Sequence, residues 1–162
     1  MNLSKLSIMK AGDLMDIINP DMILLDQHVA TKEEAIRLAG QLLVDAGNVE
    51  PAYIESMQER NRDVSVYMGN FIAIPHGTDA GKEYIKKTGI SVVQIPMGVD
   101  FSADDDDDEK VVTVVFGIAG LNGEHLDILS KIAILCSDLN NVVKLADAQS
   151  KDEILELLKQ VD

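Results

Sequence analysis

The chain has no tryptophan, one cysteine and four prolines in 162 residues, and aromatic side chains make up only 4% of it. A single cysteine, Cys136, has no partner for an internal disulfide, which excludes a disulfide-stapled secreted scaffold. It sits after the apolar run Ile132-Ala133-Ile134-Leu135 and reads as a small buried hydrophobe. Basic residues are scarce too: 14 Lys and Arg stand against 28 Asp and Glu, for a net charge of −14. Nucleic acid and direct membrane insertion are thereby excluded as modes of action, because both phosphate backbones and anionic lipid call for basic surface. No apolar run approaches the roughly 20 residues of a membrane span. The stretch Met1 to Lys10 lacks the apolar core of a secretory signal, so the expected compartment is the cytoplasm.

What is present suits one α/β domain over residues 1–162, with residues 1 to about 14 a weakly structured extension. The hydrophobic fraction of 46% is ordinary for a globular protein, and no repeat or Gly/Ser/Pro linker divides the chain. Met22-Ile23-Leu24-Leu25 reads as a short strand. Thr31 followed by Glu34 forms a capping box for a helix ended by Gly47. Pro51 opens a second helix running to about Arg60. Strands are expected at 71–74, at 90–95 (stopped by Pro96 and Gly98), and at 111–118, the last apolar enough to be covered on both faces. One long helix is expected from Glu124 to about Leu139, and a last one from Lys151 to about Lys159. The interleaving predicts a mixed, parallel and antiparallel sheet of about five strands flanked by helices on both faces. The acidic run Asp104 to Asp108 reads as a solvated loop kept extended by repulsion. Its Asp residues lack the spaced ligands and turn glycine of a calcium loop.

Chemistry concentrates in Ile72-Ala73-Ile74-Pro75-His76-Gly77-Thr78. Pro75 biases Ile74 towards an extended backbone, and Gly77 allows a close backbone approach beside the imidazole. His76 is therefore placed at a strand end on a stiff base. It is a residue type that acts as a nucleophile and titrates near neutrality. By spacing alone, a reactive and a merely hydrogen-bonded histidine remain equally open. His125 starts the long helix just after an apolar strand, where free N–H groups favour an anion. Arg60 and Arg62 end the second helix; either is a surface ion-pair partner by default, though guanidinium also suits phosphoryl oxygens. His28 reads as surface. No HxxxH, HxH or HExxH spacing marks a metal site, and no GxSxG elbow marks a hydrolase. No metal or cofactor is expected.

Three segments together are recognisable. They are Gly69-Asn70-Phe71-Ile72-Ala73-Ile74-Pro75-His76-Gly77-Thr78; Thr88-Gly89-Ile90 through Gln94-Ile95-Pro96 to Phe101; and Phe116-Gly117-Ile118-Ala119 with Asn122, Glu124, His125 and Leu126. In this order and spacing the chain, from about residue 20 onward, resembles the mannitol/fructose family of enzyme IIA components of the bacterial phosphoenolpyruvate-dependent sugar phosphotransferase system. The likeness is greatest to free-standing mannitol-type members. It implies a cytoplasmic phosphocarrier. His76 would accept a phosphoryl group from phospho-HPr, through Nε2, and pass it to the IIB domain of a mannitol (hexitol) permease. The resemblance makes His125 the second active-site histidine and Arg60 the residue that neutralises the phosphoryl charge. Arg60, His125 and the N–H groups after His76 are the expected donors to that group. Phe71, Ile74 and Met97 are candidate rim residues. Gly123 departs from relatives that carry a second asparagine there. The alternative is a regulatory member, nitrogen-related or fructose-type, whose phosphorylation governs docking. A metal-dependent hydrolase is a third reading.

Overall fold

The computed structural model describes residues 13–162. Most of the expected N-terminal extension lies outside the described residues. Where the chain is described it is docked rather than loose. Leu14 and Ile18 are buried, the N–H groups of Leu14 and Met15 in the 3-10 turn Leu14–Asp16 donate to the Asp162 carboxylate (2.6 and 3.2 Å), and Ile17 O accepts from Ile90 N–H at 3.1 Å.

Five strands form one sheet: β1 (Ile23–Leu24), β2 (Tyr67–Gly69), β3 (Ile72–Ala73), β4 (Gly89–Asp100) and β5 (Val111–Ala119). Their spatial order is β1-β4-β5-β3-β2. β1 runs parallel to β4 and β3 parallel to β5, while the β4–β5 and β2–β3 pairs are antiparallel. The helices are α1 (Lys32–Asp45), α2 (Ala52–Asp63), α3 (Glu124–Cys136), α4 (Leu139–Asp147) and α5 (Lys151–Lys159). Alternation along β4 shows that both faces are covered. Ser91 Oγ donates to Ala39 O of α1 at 2.7 Å, whereas Gln94 Nε2 donates to Leu145 O of α4 at 2.9 Å. Residues three apart in a strand point to opposite faces, so α1 and α4 lie on opposite sides. Thr31 caps α1 as expected, its hydroxyl accepting from Glu34 N–H.

Four details differ from the sequence-based expectation. β4 does not stop at Pro96; its pairing with β5 is interrupted between Gln94 and Val99 and then resumes to Asp100. A bulge there, with Gly98 at φ +80°, absorbs the missing N–H of the proline. The expected helix 124–139 is two helices. Asp138 accepts from Asn140 N–H at 2.9 Å and caps a separate α4. β2 and the 3-10 segment Asp79–Tyr84 were not expected. The acidic run is the tip of the β4–β5 hairpin and is turned rather than extended. Asp106 N–H donates to Ala103 O, and Asp106 Oδ2 accepts from Ala103 N–H at 2.8 Å. At the loop's base, Asp100 accepts the N–H groups of Ser102 and Lys110, both at 2.9 Å. These bonds hold its carboxyl below the usual range. Cys136 is buried and unpaired, and burial pushes its thiol up to about 12.

Candidate functional site

Because β3 and β5 are parallel, their carboxyl ends open on the same side of the sheet, where ligand crevices form in α/β proteins. His76 follows β3 and the Gly120–His125 segment follows β5, so two histidines distant in sequence meet there. Their ring centroids are 6.0 Å apart, with planes tilted by 34°. Both are half-buried. Arg60, near the end of α2, lines the same cavity of about 400 Å³. The three expected site residues are thus brought together. His28 is exposed and stands 3.7 Å from Asp26. Phe71 and Met97 do not line the cavity. Phe71 precedes β3 at the opposite end from His76, and Met97, 80% exposed, lies in the β4 bulge. Ile74 contributes through its carbonyl rather than its side chain.

That carbonyl orients the His76 ring. Ile74 O lies 3.2 Å from His76 Nδ1 and also accepts His76 N–H. A carbonyl only accepts, so Nδ1 carries the ring proton and Nε2 keeps its lone pair. Burial is the main influence that lowers the imidazole pKa below its ordinary value. The nearby charges of Arg60 and His125 act the same way, while the Ile74 bond and Asp79 oppose them. Burial thus favours the neutral ring.

The two arginines separate clearly. Arg62 is an exposed ion-pair partner of Glu55 at 2.7 Å. Arg60 donates to Val64 O at 2.6 Å, and among the described residues no carboxylate lies within ion-pair distance of it. Lys82 also lines the cavity and sits 3.4 Å from Asp79. It lies in the unexpected 3-10 segment, so the sequence patterning carried no sign of it.

The N–H groups after His76 do not serve as expected. Gly77 N–H donates to Tyr53 OH and Thr78 N–H to Ser56 Oγ, each at 2.8 Å. Both donors are occupied by α2. Gly77 is needed for that approach: a Cβ there would lie 2.5 Å from Ser56 Oγ and 2.7 Å from Tyr53 Cε1. Gly120 plays a similar part for the second histidine, since a Cβ would come within 2.3 Å of His125 N. Gly123 stands at the N-cap of α3 with φ +82°, where glycine is unstrained. Tyr53, Ser56 and Arg60 recur at three- and four-residue spacing on one helix face. That polar stripe in α2 was the available signal for the first two.

The chain matches the family described as phosphoenolpyruvate-dependent sugar phosphotransferase system, EIIA 2, over residues 16–161. It is 60% identical to the mannitol-specific phosphotransferase enzyme IIA component of Enterococcus faecalis, covering 83% of this chain and 91% of that one. It is 51% identical to the corresponding component of Geobacillus stearothermophilus, covering 91% and 99%. Among solved structures, the complex of mannitol enzyme IIA with phosphorylated mannitol enzyme IIB from Escherichia coli aligns with a TM-score of 0.81 at 38% identity. That alignment covers 88% of this chain and 97% of the other.

Proposed function

The chain belongs to the EIIA 2 family of the phosphoenolpyruvate-dependent sugar phosphotransferase system, and on that premise we propose that it relays phosphoryl groups through His76 from phospho-HPr to the IIB domain of a mannitol permease. The observation that carries the assignment of His76 is its Nδ1 contact with Ile74 O. It leaves Nε2 as the nucleophile in a cavity shared with Arg60 and His125.

In the first transfer the Nε2 lone pair forms the N–P bond while the bond from phosphorus to the donor's ring nitrogen breaks, its electron pair returning to that ring. In the second, a IIB thiolate attacks phosphorus and the electron pair of the His76 N–P bond returns to the imidazole. The group in flight carries about two negative charges. Arg60, His125 and Lys82 supply positive or hydrogen-bonding character against a chain charge of −14. A charge pair at about 4 Å is worth roughly 4 kcal/mol at an effective dielectric of 20, so two such contacts offset a diffuse unfavourable field. Positioning and charge neutralisation are the main contributions expected in phosphoryl transfer. The relatives named for mannitol support the substrate of the partner permease, and such a relay works in the cytoplasm. Among the described residues no helix is long and apolar enough to cross a membrane.

Incubation with phosphoenolpyruvate, enzyme I and HPr tests this. An acid-labile phosphate is expected on wild type and absent from His76→Ala, and it should discharge to a mannitol IIB domain. An unlabelled wild type overturns the reading. Labelling without discharge to any sugar-permease IIB domain favours the regulatory alternative.

A further inference from the structure

The loop bearing His76 is fastened on both sides to a single residue of β5. On one side, Pro75 O accepts from Ile118 N–H at 3.0 Å. On the other, Gly77 N–H donates to Tyr53 OH, which donates to Ile118 O, each at 2.8 Å. The tyrosine hydroxyl has one proton, and a backbone N–H cannot accept it. Only one arrangement satisfies all three groups, with the hydroxyl accepting from Gly77 and donating to Ile118. Tyr53 is 2% exposed, so water does not substitute for it. Burial also pushes its hydroxyl far above the usual range, and the proton that makes the second bond is not lost at working pH.

Ser56, one turn along α2, repeats the device. Its Oγ accepts from Thr78 N–H at 2.8 Å and lies 3.0 Å from Thr78 Oγ1, which in turn accepts from Gly81 N–H at 3.2 Å. Two turns from Tyr53 on the same helix is Arg60. Ile118 lies just before Ala119 and Gly120, the segment that leads to His125. One hydroxyl therefore ties together the helix carrying the cation, the loop carrying the nucleophile and the strand leading to the second histidine.

We propose that Tyr53, seconded by Ser56, is a positioning residue for phosphoryl transfer: its hydroxyl sets the place of the His76 ring relative to β5 and so to His125. This rests on the phosphocarrier reading of the site. It assigns Tyr53 no contact with the phosphoryl group. Its effect is on in-line geometry, where displacements of about 1 Å cost as much as a hundredfold in rate.

The test is Tyr53→Phe, which keeps the ring and removes the hydroxyl, leaving Gly77 N–H and Ile118 O without that partner. Single-turnover acceptance from phospho-HPr is expected to slow about 10- to 100-fold, with the KM for phospho-HPr little changed. Nitrogen NMR of His76 should show the Nδ1–H form in wild type and a mixture of tautomers in the variant. Ile154→Val in α5, remote from the site, serves as a destabilised control and should retain wild-type rates per folded molecule. Should Tyr53→Phe not fold, Ser56→Ala is expected to show the same slowing to a smaller degree. Wild-type rate and tautomer in the folded hydroxyl-deleted variant would overturn the proposal, as would an equal slowing in Ile154→Val. If wild type itself takes no phosphate, the phosphocarrier reading fails, and the tautomer spectra still decide whether Tyr53 sets the ring.

Discussion

Ile74 O and His76 Nδ1 lie 3.2 Å apart, and the carbonyl two residues before the histidine decides which ring nitrogen keeps its lone pair. This contact is local in sequence. It is held because Pro75 stiffens the backbone between the two residues and because two bonds fix the segment on either side, Ile118 N–H to Pro75 O and Gly77 N–H to Tyr53 OH. With Nδ1 protonated and burial disfavouring the imidazolium, Nε2 is available without a separate general base.

His125→Ala is expected to leave acceptance by His76 largely intact and to slow onward transfer to IIB about tenfold or more, equivalent to roughly 1.4 kcal/mol of transition-state stabilisation for each tenfold. Rapid-quench measurement of the two half-reactions separates them. Equal loss in both, or in neither, removes His125 from the second step.

Arg60 and Arg62 should behave differently despite lying two residues apart. Arg60→Gln is expected to slow transfer by about 100- to 1000-fold, the range seen when one preorganised donor is removed from a transition-state site. Arg62→Gln, which breaks only the exposed pair with Glu55, should leave transfer unchanged. Equal kinetics for the two variants would contradict the assignment.

The His76 pKa is lowered on folding, so the unfolded chain binds the proton more readily. The resulting contribution to stability is present above the ordinary histidine value of about 6.5 and is lost as pH falls through the folded-state pKa. His76→Gln should flatten the acid side of the stability profile in that window. A proton NMR titration should place the His76 midpoint below 6.5 in wild type. In Arg60→Gln it should be higher, since the nearby guanidinium is one cause of the depression. A midpoint above 6.5 in wild type would reverse the sign.

Gly77→Ala places a methyl group 2.5 Å from Ser56 Oγ. Overpacking of this kind costs about 1–3 kcal/mol, and each kcal/mol lowers the melting temperature by roughly 2–4 °C in a chain of this size. Calorimetry should show the drop together with slower acceptance, because the same shift moves the loop that carries His76. An unchanged melting temperature would show that α2 yields freely.

Replacing Asp104–Asp108 with a Gly/Ser segment of equal length should leave both half-reactions unchanged. The run occupies the tip of the β4–β5 hairpin, at the far end of the sheet from His76. Steady-state transfer to IIB checks this, and a marked loss would implicate the run in partner docking.

Local chemistry determined a good part of this protein from the sequence alone. The Pro-His-Gly segment, the capping of α1 by Thr31, the apolar β5 and the periodic helices each depend on neighbours within a turn or two, so the α/β class was legible and His76 stood out as a candidate, with its reactive and structural roles left open by spacing alone. Tertiary structure decided the rest. The bulge that carries β4 past Pro96 exists because the partner strand resumes pairing at Val112, which no pattern within β4 announces. The break between α3 and α4 follows from a cap at Asp138, hidden within continuous helical periodicity. Whether Arg60 or Arg62 faces the site depends on which side of α2 packs against the His76 loop. Most of all, the N–H groups after His76 are engaged by Tyr53 and Ser56. Hydrogen bonds between residues more than 20 positions apart are a product of packing, and packing alone converted the expected phosphoryl donors into the anchors of the loop.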